Sequence, residues 1–189
     1  MKLCTVSRQT GTTLAGLLAL TLSGCDSSVA PMDPEQSMFS HGIQRQADLN
    51  KDLAALRAAT AHFQNFDKAI AAGFEQITPC WYHSDQGAQG YHYAITDRIN
   101  GSASLLEPEI LMYERQKNGR MRLVGVEYIV PMSMAPAPPT LLGQEFHANT
   151  ALGLYALHVW LWRHNPVGMF ADWNPKVSCE HAPDAEDRA

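Results

Sequence analysis

Ile110-Leu-Met-Tyr-Glu114-Arg-Gln-Lys117-Asn118-Gly119-Arg120-Met-Arg122-Leu-Val-Gly125-Val-Glu127-Tyr-Ile-Val130 contains two runs of apolar, β-branched and aromatic residues on either side of Asn118-Gly119. Such residues suit a pleated, half-buried surface. Asn-Gly between two such runs is the strongest short-range signal for a β-hairpin. The sequence therefore predicts two antiparallel strands, Ile110 to Glu114 and Arg122 to Val130. A two-residue turn places Lys117 opposite Arg120, Glu114 opposite Leu123, Met112 opposite Gly125 and Ile110 opposite Glu127.

Outward from this hairpin, Gly90-Tyr91-His92-Tyr93-Ala94-Ile95-Thr96 reads as a further strand. Gly87, Gly90 and their polar neighbours read as the loop before it. Pro131, Pro136, Pro138 and Pro139 break the pattern on the other side. Leu154 to Trp162 fits a buried helix or a strand. Its two tryptophans, valine and tyrosine favour a strand, with Tyr155, Leu157, Val159 and Leu161 on one face and His158, Trp160 and Trp162 on the other.

Before the strands, Leu49, Leu53, Leu56, Phe63, Ile70 and Phe74 recur at helical spacing. This predicts a long helix, a bend near Gln64-Asn65 and a short helix that ends before Gly73. Helices followed by strands indicate an α+β class: an N-terminal helical segment packed on an antiparallel β-sheet. Residues 46–183 are long enough for one domain with a real core, and residues 184–189 read as a polar tail.

The N-terminus carries a different signal. Lys2 and Arg8 precede an uncharged apolar run from Thr12 to Leu22, and Gly24 supplies a small residue at a cleavage point. The run is too short for a ~30 Å hydrocarbon core, which takes about 20 residues. Leu22-Ser23-Gly24-Cys25 resembles the lipobox of bacterial lipoproteins. That resemblance implies a signal peptide over residues 1–24, acylation of Cys25 and attachment to a membrane by lipid. The domain would then sit in the bacterial cell envelope, facing the periplasm or exterior. Residues 25–45 read as a flexible tether, polar and without helical or strand period.

Loss of residues 1–24 removes Lys2 and Arg8 from the 14 Lys and Arg and none of the 19 Asp and Glu, so the formal charge moves from −5 to −7. An acidic chain without a basic stretch argues against a nucleic-acid partner. It also leaves membrane affinity to the acyl chains.

Cys4 leaves with the signal and lipid consumes Cys25. Cys80 and Cys179 remain in a compartment that oxidises thiols, which suggests one disulfide. A metal pair and two free thiols are the alternatives.

Candidate chemistry rests on polar residues within apolar strands. Glu127 lies inside Leu-Val-Gly-Val-Glu-Tyr-Ile-Val, where a carboxylate must be paired, hydrogen-bonded or metal-bound. Otherwise it lies on an open sheet face or pairs with Arg122 or Arg163. His92 and His158 sit in aromatic strand sequence, and His147 follows Gln144-Glu145-Phe146. Imidazole is a common ligand for zinc, copper and iron. His92, Glu127, His158 and His147 are thus candidates for a divalent transition metal, with Tyr93 or Tyr128 orienting them. The alternative is that the histidines are hydrogen-bonded core residues. Glu109 falls on the opposite face from Glu127 in the tight-turn register. No nucleophile elbow, phosphate loop, zinc-protease motif or nucleotide fingerprint is present.

Trp160 to Pro175, with Gly90-Tyr91-His92-Tyr93 and Val126-Glu127-Tyr128-Ile129-Val130-Pro131, resembles a family of exported bacterial proteins without assigned activity. The resemblance covers roughly Ala59 to Cys179 and implies a shared fold, not a reaction. Location, the aromatic late segment and the lack of a catalytic motif together favour a non-catalytic domain that binds a small ligand or an envelope component. The rival is a metal-dependent enzyme or metal-binding protein.

Overall fold

The computed structural model describes residues 34–188. Cys25, the signal-like run before it and the first part of the expected tether lie outside them. Helix α1 spans Pro34–Thr60, so residues 34–45, read from sequence as tether, are helical. Pro34 suits the first position of a helix, where its missing N–H goes unused. Most described side chains in the first half of α1 are exposed, and pairs such as Gln44–Asp48 and Gln46–Asn50 bond along its surface. Among its described residues, the apolar Met38 and Ile43 stay exposed and form no buried stripe.

The second half of α1 is different: Leu53 and Leu56 enter the core. A 3-10 turn over Ala61–Gln64 makes the expected bend. Helix α2, Phe66–Ala71, starts at Asn65, whose side chain accepts the Asp67 N–H. This satisfies a donor that a helix N-terminus leaves free. Gly73 follows at φ 93°, a left-handed stop that favours glycine.

The strands are β1 (Glu75–Gln76), β2 (Cys80–His83), β3 (Gly87–Ala94), β4 (Ile110–Arg115), β5 (Met121–Pro131), β6 (Thr140–Leu141), β7 (Gln144–Glu145), β8 (His147–Asn149), β9 (Leu154–Val159) and β10 (Ala185–Asp187). Eight of them form one curled sheet in the order β10-β2-β3-β4-β5-β9-β8, with β1 on β3. All pairings are antiparallel except β10 on β2. The result is a single α+β domain.

Three readings need correction. Gly87 and Gly90, read as a loop, lie in β3, which pairs with β2 as a hairpin. Residues 185–187, inside the expected polar tail, form an edge strand whose side chains are all exposed, which explains their polarity. The β4–β5 turn also differs at its tip. Gln116 N–H donates to Arg120 O, leaving a three-residue loop in which Gly119 has φ 80°. Glu114 therefore faces Arg122, while Ile110 still faces Glu127 because a bulge opposite Met112 and Tyr113 adds one residue on β5.

Residues paired across neighbouring strands share a face. Tyr91, Tyr93, Leu111, Tyr113, Val126 and Tyr128 face the helices. There the Tyr113 hydroxyl donates to Phe63 O at 2.6 Å, and Phe66 meets Tyr93 and Tyr113 edge-on. The other face carries His92, Met112, Glu127 and His158. It is partly covered by the segment after β9, which is tied down by Trp160 Nε1 to Ala171 O, Asn165 Nδ2 to Trp173 O and an Ala88–Asn174 bridge. A Cys80–Cys179 disulfide, with Cα atoms 5.8 Å apart, holds the end of that segment against β2.

Candidate metal centre

His92 on β3, Glu127 on β5 and His158 on β9 each offer a ligand atom, and these atoms lie within 4.8 Å of one another. Glu127 and His158 are direct cross-strand partners. His92 is farther away: it pairs with Met112 on β4, and β4 separates it from β5. Two strand spacings are about 10 Å. The side chains meet only because the sheet curls and this face is concave. Met112, fully buried, lies between them. Gly125 makes room for it, since a Cβ there would come within 2.7 Å of Met112 Cε and of Val159 O.

His92 Nε2 stands 3.3 Å from Glu127 Oε2, and His158 Nε2 stands 3.4 Å from Glu127 Oε1. Neither contact has hydrogen-bond geometry: both Nε2 atoms, and His158 Nδ1, are buried without a bonded partner. A charge-assisted N–H···O bond would close to about 2.7–2.9 Å. The far side of each ring is also occupied. Thr78 Oγ1 meets His92 Nδ1 at 3.0 Å and accepts the His92 backbone N–H at 3.2 Å. Asp172 Oδ1 faces His158 Nδ1 at 3.4 Å.

Burial holds the His92 pKa down at about 3, with help from His158, so the ring is neutral and its Nε2 is free to carry a lone pair toward Glu127. Burial likewise pushes the Glu127 carboxyl up; nearby His158 opposes that push and Asp172 adds to it. For His158, burial works against the charged ring, but Glu127 and then Asp172 outweigh it and raise its pKa. Asp172 is opposed by its burial, yet His158 and His147 draw its carboxyl down to about 2.

His147 is not in the cluster. It sits on the exposed strand β8, and its Nδ1 meets Asp172 Oδ1 at 2.7 Å, so it is linked to His158 only through that carboxylate. The expected orienting tyrosines are also elsewhere: Tyr93 donates to Gln76 and Tyr128 to Leu105 O, on the helix face. Thr78 and Asp172 take that place. Both are short polar residues outside the strands, and no local pattern marks them. Glu109 stays apart from the cluster. It accepts the Ile129 N–H at 3.2 Å, and burial raises its carboxyl to about 7 against the pull of backbone N–H groups and Arg98.

A cleft of about 290 Å³ opens on this cluster, walled by Trp81, Gln89, Glu127, His158, Asp172 and Trp173 among others. Two imidazoles and a carboxylate, each imidazole backed by an oxygen on its other nitrogen, are the donor set and outer support that divalent transition metals use in proteins. No family model, curated protein or solved structure matches this chain.

Proposed function

We propose that this chain is a lipid-anchored protein of the bacterial cell envelope that binds a divalent transition metal through His92, Glu127 and His158, and a small ligand at the open side of that metal. One observation carries the metal reading. Two buried Nε2 atoms face one carboxylate at 3.3 and 3.4 Å without hydrogen-bond geometry. The carboxylate turns a separate oxygen to each ring, and one ligand atom from each of the three residues lies within 4.8 Å of the others. A cation between these atoms would accept a lone pair from each, a partner that the protein itself does not provide to the two nitrogens.

Elemental analysis of protein purified without an affinity tag tests this. Stoichiometric zinc, copper or iron is expected in wild type and is lost in His92→Ala and His158→Ala. Metal-free wild type that takes up none on addition would refute it. The envelope location is tested separately: an acyl probe should label wild type, and a Cys25→Ser variant that still labels and stays membrane-bound removes that part. Among the described residues, no helix is long and apolar enough to cross a membrane.

One feature supports a second reading, a metal-dependent enzyme. Three protein ligands beside a cleft match the open pattern of catalytic sites more than the closed four-ligand pattern of structural ones. Turnover of a chromogenic ester by the zinc-loaded protein, abolished in Glu127→Gln, would move the conclusion from binding to catalysis.

A further inference from the structure

Asp172 joins strands that lie far apart in the sheet. Its carbonyl accepts the Gln89 Nε2–H of β3 at 3.1 Å, and its Oδ1 meets His147 Nδ1 of β8 at 2.7 Å. β4, β5 and β9 stand between those two strands. On a flat sheet four strand spacings would separate them by about 19 Å. One residue reaches both because residues 169–174 run as a strap over the concave face. From there Asp172 Oδ1 also faces His158 Nδ1 at 3.4 Å.

The strap is held unequally on its two sides. Toward β3, Ala88 and Asn174 exchange two backbone hydrogen bonds, at 3.1 and 3.2 Å, beside the Gln89 contact. Trp173 adds a ring contact with His83 of β2, with centroids 5.6 Å apart. Toward β8, among the described residues, the His147–Asp172 contact is the one polar tie. Its side chains are 54% and 45% exposed, and water competes for a bond in that position. The β3 side is therefore the hinge, and the β8 side is the edge that gives way.

A cation has little room to reach the triad while the strap is down. The side chains of His92, Glu127 and His158 are 2%, 9% and 5% exposed. The cleft above them is lined by His147 from β8 and by Asp172 and Trp173 from the strap, so both partners of the exposed tie border it. Lifting the strap from β8 widens the cleft. The same movement withdraws Asp172 from His158 Nδ1, so the step that admits a cation also frees the ring that receives it.

Resting on the metal reading above, we infer that His147 and Asp172 form the latch of the metal site. Residues 169–174 swing on their β3 ties, and breaking this one contact at β8 lets a divalent cation enter and leave the triad. His147 is a positioning residue that acts through Asp172 and does not ligate the cation.

The test uses the full-length protein in detergent and cobalt(II) as the metal probe. Loss of the cobalt visible absorption into excess chelator gives the rate of release. His147→Ala should release cobalt about three- to tenfold faster than wild type, the size expected for one exposed hydrogen bond to a carboxylate. Its dissociation constant should stay within about twofold, because entry quickens by the same factor as release. His147→Asn keeps an N–H that can donate to Asp172 and should return the rate to within about twofold of wild type. A second arm needs no metal. Diethyl pyrocarbonate should modify His158 faster in metal-free His147→Ala than in wild type, read residue by residue by mass spectrometry. If cobalt leaves both proteins at the same rate, or if His147→Ala loses affinity with an unchanged entry rate, the latch is refuted and the metal reading stands. If no cobalt binds, the metal reading falls by itself. Faster modification of His158 in the variant then keeps the strap as the gate of the cleft, and equal modification removes it.

Discussion

His92→Leu should stabilise the metal-free protein and destabilise the zinc-loaded one relative to wild type. Without a cation, His92 Nε2 is a buried polar atom with no hydrogen-bond partner, a state that costs about 1–3 kcal/mol. Leucine removes it and fills much of the same volume. The substitution also removes the ring's contact with Thr78, worth about 0.5–1.5 kcal/mol, while the Thr78 hydroxyl keeps the backbone N–H of residue 92. The net gain is roughly 0–2 kcal/mol. Zinc at one hundred times its dissociation constant stabilises wild type by about 2.7 kcal/mol. For a domain of this size each kcal/mol moves the melting temperature by roughly 2–4 °C. Calorimetry with a chelator should therefore rank His92→Leu level with or above wild type. With zinc, wild type should rise about 5–11 °C and the variant should not follow. If the variant melts lower than wild type by the same amount with chelator and with zinc, the triad is an ordinary polar core and the reasoning is wrong.

Opening the Cys80–Cys179 bond as a double alanine variant should lower stability by about 4–5 kcal/mol, read from the urea midpoint, because the two cysteines are 99 residues apart. Gly125→Ala should cost about 1–3 kcal/mol. Met112 can yield to the new methyl, but the Val159 carbonyl at 2.7 Å cannot. A neutral outcome would mean the two strands separate there. Metal-free wild type should lose stability as pH falls from about 6.5 toward 3. His92 stays neutral in the fold down to about 3 while the unfolded chain protonates at its ordinary value, at about 1.4 kcal/mol per pH unit. The raised pKa of His158 acts in the opposite sense: its contribution is complete below the ordinary histidine value and is lost as pH rises through the folded one. Urea midpoints across that range should fall less steeply in His92→Leu than in wild type, and identical slopes would contradict the assignment.

Much of this arrangement is legible in residue order, for reasons that differ by element. Polar residues inside apolar strands single out His92, Glu127 and His158. The helical bend is legible because Asn65 and Gly73 have conformational roles that few residues fill. The hairpin register was right at Glu127 for an incomplete reason. The turn has one residue more than a tight Asn-Gly turn, and the bulge on β5 adds one back, so two irregularities cancel at Ile110–Glu127 but not at Glu114. β2 is hidden in the sequence because Gly87 and Gly90 look like a loop. The strand expected from Gly90 in fact begins at Gly87, and at Gly90 a Cβ would meet Tyr113 O at 2.4 Å. Thr78, Asp172 and β10 were not legible at all. Each gains its role from contacts distant in sequence, as in the bond from Tyr91 to Asp184 at 2.5 Å just before β10.

The parallel pairing of β10 with β2 has a consequence for the order in which the chain matures. β2 leaves the ribosome well before its outer partner, β10, is made. Cys80 likewise waits for Cys179. Until β10 is made, β2 is an open edge, the kind of surface that recruits other chains. Only the arrival of residues 185–188 closes it and brings Arg188 over Trp81. Chains that end before Ala185 would keep that edge open and leave Trp81 without the Arg188 guanidinium over its ring.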